Sequence, residues 1–287
     1  MSSPDGLRKL AAILLTAPAA LLLGIFCLGP LVLLLRVSLF APAAGRGFYQ
    51  PSTWAPGNYS DLVNDGYFRD VLLFTLLLGA GVTLLVLILA YPLALFIHGL
   101  SPRAKTVALA AVVMPKFASM LVTVYGLQAL LSGSGPVNRF LVAVGLSSEP
   151  LTLTRNLTGV VIGETYLLLP YAVLVLVLAL ARIDAGLVVA AHGLGASRLQ
   201  AFRRVTLPLS LPGVAMAGQL TLVWALSAFV GPLLLGGPGQ VTLAVEVHRQ
   251  AVEHNRWPLG AATAVILLFT FSFVLSVAAM LRPRSHA

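Results

Sequence analysis

Charge is what this sequence has least of. Asp, Glu, Lys and Arg make up 9% of its 287 residues, against about a quarter of an ordinary soluble domain, while 59% of the chain is hydrophobic. A soluble core cannot hide that much apolar surface, so a water-soluble globular protein is excluded. Cysteine is nearly missing too. Cys27 stands alone inside an apolar run, which excludes a disulfide framework and a cysteine metal site. Of the three lysines, Lys9, Lys105 and Lys116, none completes the Gly-x4-Gly-Lys-Ser/Thr loop that cradles nucleotide phosphates. Internal repeats and polar stretches long enough to make a soluble catalytic domain are also lacking.

What the chain does have is six long apolar runs, near residues 10–35, 71–97, 106–131, 157–181, 213–235 and 259–281. The hydrocarbon layer is about 30 Å thick and each helical residue rises about 1.5 Å, so about 20 residues span it. All six are expected to be helices, because open strands cannot satisfy their backbone groups in lipid. The first begins after Arg8 and Lys9 and is too long for a cleaved leader, so it is taken as an uncleaved span. The fold class expected is all-α: a polytopic membrane protein of one domain over residues 1–287, with lipid as its surroundings.

The basic residues set the orientation. With the N-terminus inside, the inner segments hold Arg8, Lys9, Arg103, Lys105, Arg182, Arg198, Arg203, Arg204, Arg282 and Arg284 against Asp5 and Asp184, whereas the outer segments hold seven Arg and six acids. Both termini are therefore expected in the cytoplasm. The net charge of +9 and a pI near 10.3 follow from inner-face arginines beside anionic headgroups, and no nucleic-acid partner is expected. Outside the spans, residues 37–70 carry Phe48, Tyr49, Trp54, Tyr59 and Tyr67 and suit an interfacial lid. A short helix is expected after the Gly-Pro break in 132–156.

The inner loop 182–212 is the segment with the most local pattern. "LVVAAHGLGA" suggests a short helix with small residues on one side, ended by Gly195 in the left-handed conformation. Ser197 then caps a second helix, with Gln200 three residues on completing a capping box. Leu199, Phe202 and Val205 follow at helical spacing beside Arg203 and Arg204, and Pro208 and Pro212 mark the passage into the fifth span. Physics alone leaves two readings open: a rigid lever for another protein, or an amphipathic loop resting on lipid.

In this segment Ala190 and Ala191 are followed by three residues and Gly195, and nine more lead to Val205, Thr206, Leu207 and Pro208. That spacing resembles the signature loop of binding-protein-dependent ABC transporter permeases: Glu-Ala-Ala, three residues, Gly, nine residues, Ile-x-Leu-Pro. Val189 stands where the family has Glu, which removes one charged contact. The stretches "AFVGPLLLGGPG" at 228–239 and "RWPLGAA" at 256–262 are similar to the branch that moves spermidine and putrescine. The resemblance implies a type I importer permease of six spans with a cytoplasmic coupling helix, in a bacterial inner membrane. It implies ATPase coupling through Ala190, Ala191, Gly195, Ala196, Ser197, Arg198, Leu199, Phe202 and Pro208. The implied partners are two ATP-binding subunits, which hold ATP and Mg, a second permease that is a different homologous chain, and a periplasmic solute-binding protein. No cofactor and no catalytic residue is expected in this chain.

Ionisable and polar groups on spans prefer the bundle interior and mark candidate paths. Lys116 and Glu164 are the ionisable pair, and Tyr125, Gln128, Tyr166, Gln219, Trp224 and Ser227 are further candidates. Glu164 lies about four residues, or about 6 Å, nearer the outer face than Lys116, within reach of a lysine stem. Either the two neutralise each other and fix helix register, or Glu164 faces the path and meets a cationic solute. If Lys116 faces an open cavity instead, a small anion such as phosphonate becomes the cargo; iron is a further cargo of the relatives that the resemblance covers. An ion-gradient-driven transporter would show internal pseudo-symmetry, and a membrane enzyme would need more than the single in-span acid, Glu164. His248, Glu253 and His254 form a loop cluster without a scaffold, and no metal site is expected there.

Overall fold

The computed structural model describes residues 4–43 and 47–280, with side chains between residues 16 and 277. Arg282 and Arg284 lie outside the described residues, as do the side chains of Asp5, Arg8 and Lys9. Among the described residues the α-helices are α1 (Pro4–Ser38), α2 (Gly57–Asn64), α3 (Gly66–His98), α4 (Pro102–Val113), α5 (Met120–Leu131), α6 (Pro136–Ala143), α7 (Leu157–Ala181), α8 (Ala185–Gly193), α9 (Arg198–Ala201), α10 (Leu207–Leu226), α11 (Val230–Leu235), α12 (Leu243–His248) and α13 (Trp257–Met280). Among the described residues six stretches are long and apolar enough to cross a membrane: Thr16–Ser38, Gly66–His98, Met120–Ala143, Leu157–Ala181, Arg198–Leu226 and Trp257–Val277.

Two spans differ from the expected bounds. Instead of one helix over 106–131, the chain leaves α4 at Val113, makes a 3-10 turn over Met114–Phe117, and passes extended through Ala118 and Ser119 into α5. Pro115 has no N–H to continue the ladder, and the flanking residues are equally apolar, so hydropathy does not register the break. The fifth span starts earlier than residue 213 and ends earlier than 235: α10 stops at Leu226, and α11 is a separate turn after Phe229. Between α9 and α10 lies a π-turn, Phe202–Thr206, closed by Leu207 N–H donating to the Phe202 carbonyl. Pro208 cannot serve the carbonyl of Arg204 and crowds it, and the wider turn relieves that conflict.

The described residues divide into two compact units, one built from those up to Gly66 together with Val247–Leu267, the other from Tyr67–Glu246 together with those from Leu268. In the first, Asn58 ties α2 to the end of α1 by donating to the carbonyls of Ser38 (2.8 Å) and Phe40 (2.9 Å). A single antiparallel bridge joins Ala41 and Gln50, and Phe40 stacks on Tyr49 while Phe48 meets the edge of Trp257. The aromatic stretch thus has a defined local fold.

The second unit is organised around α7. Its core takes Val82, Val86, Ala90 and Ala94 from α3, Val160, Ala172, Val173 and Leu176 from α7, and Ala217 from α10. On α3 the buried positions recur every three or four residues, from Val71 through Ile97, the mark of one helix face turned inward. Lipid tails are as apolar as leucine, so this association depends on close packing and interhelical hydrogen bonds. Gly213 of α10 supplies the first: a Cβ there would stand 2.2 Å from that of Ala179 on α7. Tyr91 and Ser210 share a 2.7 Å hydrogen bond between α3 and α10.

Candidate functional site

Two features hold most of the residues singled out by the sequence. The first is the elbow between α7 and α10. Asp184 caps α8 by accepting from Gly186 N–H at 2.8 Å. At the other end Gly195 has φ +86°, Ala196 N–H reaches back to the Ala191 carbonyl at 3.0 Å, and Gly195 N–H to that of His192 at 2.9 Å. This paired closure satisfies the last carbonyls of the helix. Ser197 and Gln200 then form a reciprocal capping box, Ser197 N–H donating to Gln200 Oε1 at 2.9 Å and Gln200 N–H to Ser197 Oγ at 3.4 Å. Both stops are built from residues within six positions of one another, which is why the sequence shows them.

The elbow is anchored on one side and open on the other. Ala201 is buried, and the Phe202 ring packs edge-on to Tyr91 at 6.2 Å, the residue that also bonds Ser210. Ala191 and Ala196 are half-buried, and Ala190, Gly195, Ser197, Arg198 and Pro208 are exposed. Four apolar side chains stand clear: Leu187, Val189, Leu194 at 90% exposure and Leu199. Val189, in place of the expected acid, is thus part of an exposed apolar set.

The second feature is a cavity of about 490 Å³ lined by α7, the 114–120 turn and the α10–α11 junction. Five of the candidate path residues line it: Lys116, Glu164, Tyr166, Trp224 and Ser227. Tyr125, Gln128 and Gln219 lie outside this lining. Thr123, Tyr171 and Phe229 also line it, and the sequence reading missed them. Tyr171 was findable, because Glu164, Leu167, Leu168 and Tyr171 fall at the i, i+3, i+4, i+7 spacing of one helix face.

Glu164 is 2% exposed, and its Oε1 has no hydrogen-bond partner. Lys116, half-buried, does not bond to that oxygen. Its Nζ donates to the Leu167 carbonyl and stands 4.7 Å above the centre of the Tyr171 ring. Tyr171 in turn stacks on Trp224, ring centres 5.5 Å apart and planes at 21°. Pro170 denies an N–H to the Tyr166 carbonyl, the neighbour of the Leu167 carbonyl that accepts from Lys116. The cavity therefore presents a buried carboxyl and an aromatic pair, which suit an organic cation, together with the Lys116 ammonium, the cavity-facing placement that the sequence tied to an anionic solute. Among the described residues no group of three or more His, Cys, Asp or Glu gathers as a metal site would.

Residues 101–286 match the family described as binding-protein-dependent transport system inner membrane component. The spermidine/putrescine transport system permease protein PotB of Escherichia coli (strain K12) is 33% identical over 220 residues, covering 77% of this chain and 80% of that protein. Its namesake in Haemophilus influenzae is 32% identical over 253 residues, covering 88% and 87%. The inner membrane ABC transporter permease protein YdcU of Escherichia coli is 32% identical over 222 residues, 72% and 70%. In fold, the chain is similar to a bacterial alginate ABC transporter solved with its alginate pentasaccharide-bound periplasmic protein, with a TM-score of 0.77 at 19% identity over 96% of this chain and 94% of that one. It is also similar to the inward-facing MetNI methionine ABC transporter, TM-score 0.55 at 19% identity over 75% and 96%.

Proposed function

The chain belongs to the family of binding-protein-dependent transport system inner membrane components, and from that premise we propose that it forms part of the path for a polyamine of the spermidine and putrescine kind. The observation that carries the cargo is Glu164: a carboxyl 2% exposed, with an unpartnered oxygen, on a cavity lined by Tyr166, Tyr171 and Trp224. A carboxylate removed from water needs a compensating cation, and aromatic faces favour organic ammonium groups. The names of the 33% and 32% identical relatives support the same class.

The elbow is the docking surface for a separate ATPase, which holds ATP and Mg. Its exposed Leu187, Val189, Leu194 and Leu199 meet an apolar cleft, while Phe202, packed on Tyr91, passes the ATPase's closure to α3 and α10. Two such ATPases, a second and different permease, and a solute-binding protein on the opposite face complete the machine, with both termini of this chain in the cytoplasm. Closure of the ATPase pair opens the path outward to receive solute, and hydrolysis resets it.

Calorimetry of the cognate binding protein against polyamines, metals and small anions, with uptake by proteoliposomes holding the whole assembly, tests the cargo. Spermidine binding, and uptake depressed several-fold by Glu164→Gln, is the expected result. Anion binding, or uptake untouched by Glu164→Gln, overturns the polyamine reading. Copurification with no ATPase, together with proton-driven uptake, overturns the importer mechanism.

A further inference from the structure

The geometry points to Lys116 as a tethered occupant of a primary-ammonium subsite, which a transported amine must displace. This rests on the cationic-solute reading above and goes beyond it by naming the atoms that hold one amine. The subsite has three sides. Below is the Tyr171 ring, 4.7 Å from Nζ, within the range of about 6 Å at which an ammonium is attracted to a ring face. Beside it is the Leu167 carbonyl, which accepts from Nζ. On the same cavity stands the Glu164 carboxyl, whose Oε1 has no hydrogen-bond partner. Trp224, stacked on Tyr171 at 5.5 Å, holds the ring in place.

The occupant's chemistry matches the cargo's. A lysine side chain is a four-carbon stem ended by an ammonium, the same unit that ends putrescine. Lys116 enters this site from outside the helix that forms it: it stands on the Met114–Phe117 turn, between α4 and α5, whereas Leu167, Tyr171 and Glu164 all belong to α7. That 3-10 turn is separate from α7, so the stem can leave by side-chain rotation without moving the helix that carries the other three groups. Two ammoniums cannot share one ring face and one carbonyl, because like charges at that distance repel. A solute amine that takes the subsite therefore expels Lys116, and the Glu164 region exchanges one cation for another rather than changing its charge. Until that exchange, Lys116 favours the solute-free arrangement, since a group bound in one state draws the population toward it.

The test uses the reconstituted assembly with its ATPase, without solute. In Lys116→Met the subsite is empty, and solute-independent ATP hydrolysis is expected to rise several-fold. Millimolar n-butylammonium, a free copy of the lysine stem that fills the subsite as Lys116 does and lacks the second amine of a solute, is expected to return it toward the unmutated level, while n-butanol and butyrate do nothing. Lys116→Arg keeps a cation over the ring and is expected to stay low. Tyr171→Leu removes the ring without touching Lys116; hydrolysis is expected to rise there and to ignore n-butylammonium. Unmutated hydrolysis in Lys116→Met or in Tyr171→Leu overturns the proposal, as does an equal response to butanol. A cargo other than a polyamine would appear as failed spermidine uptake by the unmutated assembly and leaves the butylammonium response in place, so the two readings fail separately.

Discussion

Gly231 lies directly against the carboxyl of Glu164: a Cβ at Gly231 would stand 2.2 Å from Oε1. No side chain fits between α11 and the acid, so Oε1 faces the bare backbone of Gly231.

Gly231→Ala is accordingly expected to depress uptake several-fold while the protein still inserts. The carboxyl is the far end of a flexible side chain and can swing aside, so the cost in stability falls at the low end of the range of about 1–3 kcal/mol for overpacking. Uptake by proteoliposomes and thermal denaturation in detergent separate the two effects. Unchanged uptake would show that the position of the carboxyl is immaterial.

Gly213→Ala should behave in the opposite way. There the neighbour is the Cβ of Ala179 at 2.2 Å, a methyl fixed to the backbone of α7, and α10 must move away. The loss of stability is expected toward the upper end of about 1–3 kcal/mol. Adding Ala179→Gly is expected to recover most of it, and a double variant no more stable than the single would refute the contact.

At Gly195 the backbone has φ +86°, which costs an L side chain about 1–2 kcal/mol. Asparagine tolerates the left-handed region and valine does not. Solute-stimulated ATP hydrolysis by the assembly is expected to survive Gly195→Asn largely intact and to be lost in Gly195→Val. Full activity in Gly195→Val would mean the elbow need not be rigid.

Thr75 is buried, and its Oγ1 accepts from the Leu243 N–H at 2.9 Å. Thr75→Val keeps the shape and strands that N–H, at an expected cost of about 1–3 kcal/mol. Thermal denaturation checks this, and Thr75→Ser is expected to stay close to the unmutated protein. Equal stability of the valine and serine variants would show the bond contributes nothing.

The sequence by itself determined the all-α class, the six crossings and the elbow, each for a local reason. A backbone in lipid must bond to itself, so long apolar runs can only be helices. The helix stop at Gly195 and the capping box of Ser197 and Gln200 involve residues within six positions of each other, and such contacts are written in spacing. Only the tertiary structure decided the break of the third span after Val113, because apolar residues on both sides conceal it. It alone decided that Lys116 bonds to the Leu167 carbonyl and faces Tyr171 rather than joining Oε1 of Glu164. It also brought Gly231 against the Glu164 carboxyl and Trp224 to the cavity that carboxyl lines, from 60 or more positions further along the chain. Those contacts depend on how α7, α10 and α11 pack. Packing in a bilayer is set by the fit of side chains between helices rather than by hydropathy, which is nearly uniform along them.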